Sequence, residues 1–144
     1  MRIVILALAA TAAFAQAPAA SAPSLDFEFF KTRVQPVFLA KRPGHARCYA
    51  CHSQGTPFRL QRLSPGATQW NDEQSRRNFE AAQREVISGD LESSMLLIHP
   101  LAEKAGGDLF HSGGKHWDSQ SNPEWQAMAD WVRGRKAAST AARP

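Results

Sequence analysis

Both cysteines of the chain lie in one short stretch, "ARCYACHSQG", at residues 46–55. Cys48 and Cys51 are separated by two residues, and His52 follows the second cysteine directly. The 144-residue chain has no other cysteine. A group bound by this C-x-x-C-H motif would be a large part of what the rest of a small domain packs against. The motif is therefore the starting point for predicting the fold.

Two of the chemistries open to such a motif fit this sequence poorly. A thioredoxin-type redox pair needs a βαβ context, and no strand pattern precedes Cys48. A zinc site needs two ligands in addition to two thiolates. His111 and His116 are five residues apart but are separated by a Gly-Gly loop, and no histidine pair has the placement of a zinc finger.

Covalent haem attachment uses all three residues of the motif. Two thiols spaced by two residues match the two vinyl groups on one edge of the porphyrin, and the next residue brings an imidazole under the iron. We therefore predict one covalent haem c, attached through thioethers at Cys48 and Cys51, with His52 as the proximal iron ligand. A structural disulfide and a zinc site are the alternatives.

The distal iron ligand has to come from later in the chain. Met128 and Met95 lie among apolar residues, which predicts core packing, and His99 before a proline is expected to cap or pair. His111 lies between two glycine pairs, which allow a backbone to approach a flat ligand closely. His111 is the predicted distal ligand. The alternatives are His116, which could instead contact a haem propionate, Met95 and His99.

The two ends of the chain differ from its middle in composition. A basic start and an apolar run at residues 3–15 end in A-F-A, which is typical of a secretory signal peptide, and the run is too short to span a bilayer. We predict a signal peptide at 1–15, a flexible leader at 16–24, one domain at 25–135 and a disordered tail at 136–144. The mature protein is expected to be periplasmic or otherwise exported, without a membrane span.

Apolar side chains recur at helical spacing in three segments, which predicts an all-α fold of three to five helices with long loops. The first stripe runs from Phe27 to Phe38, and Pro36 should kink or restart that helix. The third helix should start at Asn122 and Pro123 and end before residue 134. A short helix is expected before Pro100.

The second helix is predicted for residues 72–88, with Asn71 as its N-cap and Gly89 as its end. Its stripe consists of Phe79, Ala82 and Val86. On its polar side we expect two ion pairs at i,i+4 spacing, Glu73–Arg77 and Glu80–Arg84.

The charge of the chain gives limited information about partners. The formal net charge is +4, and removal of Arg2 with a signal peptide leaves +3. This excess is too small to indicate nucleic-acid binding and only weakly favours an acidic partner. Basic residues around the motif form either a solvated face or a surface for haem propionates and an acidic redox protein; they are Lys41, Arg42, Arg47, Arg59 and Arg62.

From residue 26 to 134 the chain resembles monohaem class I cytochromes, especially the planctomycete-type cytochrome c domains. The resemblance lies in "FFKTRVQPVFLAKRPGHARCYACH" (29–52), "SMLLIHPL" (94–101), "FHSGGKHW" (110–117) and "NPEWQAMADWVRG" (122–134). It implies a small helical fold around one haem that is used for electron transfer. Two features depart from the family pattern: "RPGHAR" is inserted before Cys48, and "HSGGK" stands where the family has "HGGG", the position of His111.

The combined prediction is an exported monohaem c-type cytochrome that passes single electrons to a redox partner protein and is not an enzyme. A haem-based sensor or a small peroxidase-like protein, with an open or displaceable distal site, is the alternative. A third possibility is an interaction module with a plain disulfide and no haem.

Overall fold

The structure is a computed structural model that describes residues 21–138. The predicted signal peptide, the leader up to residue 20 and the tail from residue 139 lie outside the described residues. The described parts of the leader and the tail meet each other, since Lys136 Nζ donates a hydrogen bond to the carbonyl of Ser24 at 2.7 Å.

The chain is helical and has no strand between residues 21 and 138, which confirms the predicted all-α class. The α-helical segments are α1 (Phe27–Phe29), α2 (Gln35–Leu39), α3 (Cys48–His52), α4 (Asp72–Gln83), α5 (Met95–Ile98) and α6 (Pro123–Val132). A π-helical turn (Phe30–Val34) joins α1 to α2, and a 3₁₀ turn (Glu103–Ala105) follows α5. Among these residues no helix is long and apolar enough to cross a membrane.

The first helix is interrupted and restarted next to its proline, as predicted. Gln35 N–H bonds to the carbonyl of Phe30, five residues earlier, and Pro36 follows directly inside α2. A proline ring clashes with the carbonyl four residues before it in a regular α-helix, and the wider π turn removes that conflict. The apolar stripe stays intact across the interruption, because Phe30, Val34 and Phe38 are all buried.

The helix predicted for residues 72–88 is α4 in the structure, and it is shorter than the sequence predicts. Asn71 forms the expected capping box at the start of α4, but residues 84–88 leave the helix, so the prediction that Val86 belongs to it is wrong. The chain turns there because the hydroxyl of Ser94 accepts the N–H of Ile87 at 3.0 Å and closes a tight loop. This local bond replaces the helical bonds that would have continued α4.

Only one of the two predicted ion pairs on α4 is present. Arg77 contacts the Glu73 carboxylate at 2.6 Å, as expected. The Glu80–Arg84 pair is wrong: Arg84 Nε donates to the backbone carbonyl of Glu80 at 3.2 Å. Arg84 lies at the C-terminal end of α4, where unpaired carbonyls attract a cationic side chain.

The last helix follows its sequence signals at both ends. Asn122 caps α6 by accepting the N–H of Glu124 at 2.9 Å, and Pro123 is the first helical residue. Gly134 has φ +82° just beyond the helix, a conformation that favours glycine. The short helix predicted before Pro100 is α5.

Aromatic side chains join the π-helical turn, α4 and α6 into one core. The ring of Phe30 lies 5.1 Å from that of Trp131 and 5.4 Å from that of Phe79. Trp125 is buried and donates its indole N–H to the carbonyl of Leu97 at 3.2 Å, which fixes α6 against α5. Such pairs combine area burial with favourable ring geometry, so they stabilise the packing of these helical segments against one another.

Candidate functional site

One cavity borders the cysteine motif and every candidate iron ligand from the sequence. Its volume is about 340 Å³, within the range of small-molecule and cofactor sites, and its walls are mostly apolar. The residues of the motif and the candidate ligands that line it are Cys48, Cys51, His52, Met95, His99, His111, His116 and Met128. The fold therefore brings together residues from four separate stretches of the chain.

The motif itself forms the short helix α3, which the sequence did not predict. Cys51 and His52 follow Cys48 at i+3 and i+4, so all three side chains lie on one helix face. Both cysteines are free thiols; Cys48 is half-buried and Cys51 is exposed. Burial raises the pKa of the Cys48 thiol, and the Arg42 guanidinium nearby acts in the opposite direction.

His52 presents one ring nitrogen as a free ligand. Its Nδ1 lies 2.9 Å from the carbonyl oxygen of Phe58 and 2.9 Å from the Thr56 hydroxyl. Because a carbonyl only accepts, the Phe58 contact assigns the proton to Nδ1 and leaves the lone pair on Nε2. Burial lowers the pKa of His52, which favours the neutral, metal-binding form of the ring.

His111, which also borders the cavity, shows the same arrangement. Its Nδ1 lies 2.6 Å from the carbonyl oxygen of Gly114, so Nε2 carries the lone pair here too. Gly114 has φ +79°, and a Cβ on Gly113 would lie 3.1 Å from His111 Cε1. The glycines thus permit the close turn that places this ring.

The two rings are placed as a pair. The ring centres of His52 and His111 are 6.3 Å apart, and their planes differ by 14°. Two imidazoles bound to one metal ion from opposite sides, each at a metal–nitrogen distance of about 2 Å, have ring centres about 6 Å apart. His99 stands in the same relation to His111, with ring centres 6.3 Å apart and planes that differ by 4°. His111 is therefore near-parallel to two other imidazoles at this spacing, His52 and His99.

The two other candidate histidines have different surroundings. His99 Nδ1 contacts the Asp108 carboxylate, which confirms the expected pairing. His116 lies between His45, with ring centres 5.1 Å apart, and His111, at 5.9 Å. Its Nδ1 is buried and has no hydrogen-bond partner among residues 21–138, and burial lowers its pKa to about 4. His45 is exposed, as expected.

The methionines divide between core and surface. Met128 is 1% exposed, which confirms core packing. The same prediction is wrong for Met95, which is 43% exposed at the edge of the cavity. The difference arises because α5 has only one turn, and Leu96 and Leu97 take its buried face.

Arg42 does not line the cavity, but it contacts two residues that do, Cys48 and Trp117, and the sequence does not reveal this role. Its side chain is only 10% exposed, and Nε contacts the Glu124 carboxylate at 2.6 Å. Nη2 donates to the carbonyl of Val37 at 2.9 Å, and Nη1 lies 3.8 Å from Cys48 Sγ. The guanidinium also lies 5.2 Å from the centre of the Trp117 ring. Arg42 is therefore not part of a solvated basic face; it links α2, α3 and α6.

The residues at the cavity fit a covalent haem. They supply two free thiols on one face, two imidazoles with free Nε2 atoms and apolar walls. Between residues 21 and 138 no group of three or more His, Cys, Asp or Glu side chains is placed to hold a metal ion. No family model, curated protein or solved structure matches the chain. The resemblance to cytochromes therefore stays a prediction.

Proposed function

We propose that the protein is an exported monohaem c-type cytochrome that carries single electrons. The observation that carries the proposal is a single, mostly apolar cavity that both thiols, His52 and His111 border together. The proposal includes a cytochrome c-like fold. It also includes a periplasmic location, because c-type haem is attached outside the cytoplasm.

Each residue of the site has a defined role in this proposal. Cys48 and Cys51 would hold the haem through thioethers, and His52 would be the proximal iron ligand. The Phe58 carbonyl accepts the Nδ1 proton of His52 at 2.9 Å, which fixes the orientation of the ring and increases its basicity as a ligand. The bound haem supplies a one-electron centre that alternates between ferric and ferrous iron.

His111 completes the proposed coordination from the distal side. Its Nδ1 is held by the carbonyl of Gly114, so its ring is oriented in the same way as that of His52. Two imidazole ligands generally give a lower reduction potential than a histidine–methionine pair. If His52 and His111 both ligated the iron, the site would be suited to electron transfer and not to binding a substrate.

Electrons need a short path to the surface, and the mouth of the cavity offers one. Cys51 is exposed and Met95 is 43% exposed, and both border the cavity. Arg47 also lines the cavity, and the chain without residues 1–15 carries a net charge of +3. An acidic redox protein is therefore the partner proposed to dock at this edge.

The experiment is a set of absorbance spectra of protein produced in a host that attaches c-type haem. Oxidised and reduced spectra and a pyridine haemochrome assay should show haem c with low-spin iron. The oxidised protein should lack the weak near-infrared band that a methionine ligand produces. A protein that carries no haem after this maturation would refute the proposed function.

Two matched variants identify the distal ligand. His111→Ala should convert the low-spin iron to a form that is high-spin or binds added ligands readily. Met95→Ala, at the edge of the same cavity, should leave the spin state unchanged. If Met95→Ala changes the spin state and His111→Ala does not, the coordination is His–Met and the potential is of the higher kind.

A haem-based sensor or small peroxidase-like protein is the second candidate function. It is favoured by two imidazoles, His99 and His116, which border the cavity in addition to the ligand pair. Such groups could bind or deprotonate a small molecule if His111 were displaced. Rapid binding of carbon monoxide by the reduced wild-type protein would favour this candidate over an electron carrier.

A further inference from the structure

The segment that carries His111 makes few contacts of its own. Among residues 21–138, the hydrogen bonds of residues 109–114 all have their partners within residues 108–114. The two apolar side chains that precede the histidine are also unpacked, with Leu109 82% and Phe110 78% exposed. The position of His111 therefore depends on how the two ends of this loop are held.

The two ends of the loop are joined by the ion pair of Lys115 with Asp108, whose carboxylate also contacts His99 Nδ1. Lys115 Nζ contacts Asp108 Oδ1 at 3.1 Å and also bonds to the Asp108 carbonyl. The same ammonium donates to the carbonyl of His99 at 2.9 Å, which ties the closed loop to the end of α5. Asp108 N–H donates to the carbonyl of Ile98 at 3.2 Å. We name Asp108 and Lys115 the loop clamp.

The loop clamp is more enclosed than an ordinary surface ion pair. The side chains of Asp108 and Lys115 are 30% and 24% exposed. In the Lys31–Asp72 pair on another face, the two side chains are 32% and 78% exposed, so only one partner of that pair is enclosed to a similar degree. Exposed pairs contribute little because water and salt screen them, whereas a partly buried pair with several charge-assisted hydrogen bonds holds its geometry more firmly.

We propose that Asp108 and Lys115 are positioning residues that keep His111 at the centre of the site by closing the loop at its base. This inference rests on the proposed function. Without the clamp, the loop would open more often and would hold His111 less firmly at the site, so an added ligand would compete with it more readily, with no change in oxidation state. The apparent affinity for an added ligand rises in proportion to the fraction of open loop.

The test uses the haem-loaded protein and measures cyanide binding to the ferric form by spectrophotometric titration. Lys115→Met and Asp108→Asn should each increase the apparent affinity for cyanide about tenfold, since each removes a partly buried charge-assisted contact. Lys115→Arg keeps the charge and should stay close to wild type. Cleavage by chymotrypsin after Phe110, in the same loaded protein, should become faster by a similar factor in the first two variants.

The control is Lys31→Met, which breaks the exposed ion pair with Asp72 and does not line the cavity. It should change neither cyanide affinity nor cleavage. If Lys115→Met and Asp108→Asn also stay within twofold of wild type while covalent haem is present, the positioning role is overturned and the proposed function stands. If covalent haem is absent from the wild type, the proposed function fails, and the role of the clamp at the iron fails with it.

Discussion

Arg42 links α2, α3 and α6 beside the cavity, so its replacement should destabilise the protein strongly. Arg42→Met keeps the length and the apolar stem of the side chain but removes the guanidinium. Glu124 then loses its 2.6 Å ionic contact and retains only the Trp117 indole N–H at 3.1 Å. The carbonyl of Val37 loses its 2.9 Å hydrogen bond at the same time.

The size of the effect follows from the burial of the two charges. Removing one partner of a fully buried ion pair costs about 3–5 kcal/mol. Here the Arg42 side chain is 10% exposed, but that of Glu124 is 32% exposed, so water compensates part of the loss. We therefore expect Arg42→Met to reduce the free energy of unfolding by about 2–3 kcal/mol.

Urea unfolding at equilibrium measures this loss, and Arg59→Met is the matched control. Arg59 belongs to the same group of basic residues but is exposed, so its replacement should cost less than about 0.5 kcal/mol. A double-mutant cycle of Arg42→Met with Glu124→Gln should give a coupling free energy of about 1–2 kcal/mol. If Arg42→Met behaves like Arg59→Met and no coupling is found, Arg42 is part of a solvated face and the reasoning is wrong.

Three further predictions concern single residues. In the same urea assay, Met128→Ala should reduce the free energy of unfolding by about 2–5 kcal/mol and Met95→Ala by less than about 1 kcal/mol, because Met128 is buried and Met95 is 43% exposed. Equal losses would contradict the placement of Met95 at the cavity edge. Gly107→Ala should reduce the free energy of unfolding by about 1–3 kcal/mol, because the added Cβ would lie 1.9 Å from the carbonyl oxygen of Leu101. An unchanged midpoint of thermal unfolding would refute this contact. Burial lowers the pKa of His116 to about 4, whereas histidine in an unfolded chain has a pKa of about 6.5. As the pH falls from about 6.5 to about 4, the unfolded chain therefore takes up a proton that the folded protein does not, and the free energy of unfolding decreases. His116→Gln should make the urea midpoint less dependent on pH in this range.

The sequence predicts best those features that depend on neighbouring residues. The starts of α4 and α6 follow from the caps Asn71 and Asn122, because a cap satisfies N–H groups only two or three residues away. The restart of the first helix follows from Pro36, whose ring geometry acts within one turn. The placement of His111 between glycines is local in the same sense.

Features that depend on contacts across the chain were predicted poorly. Arg42 meets Glu124 across 82 positions, and neither residue has a local signal that identifies the other. Met95 lies in an apolar stretch, but a single turn of α5 can bury only part of it. The last turn predicted for α4 does not form, because the Ile87 N–H donates instead to the hydroxyl of Ser94, seven residues later in the chain.

The covalent attachment of haem at the motif is the central claim, and the intact mass of the protein tests it most directly. Protein matured in a host that attaches c-type haem, exported and then extracted with acid, should have the mass of the chain from about residue 16 plus one haem. Cys48→Ala and Cys51→Ala should each lower the haem yield sharply, because each removes one thioether. A wild-type mass equal to that of the unmodified chain would contradict the account.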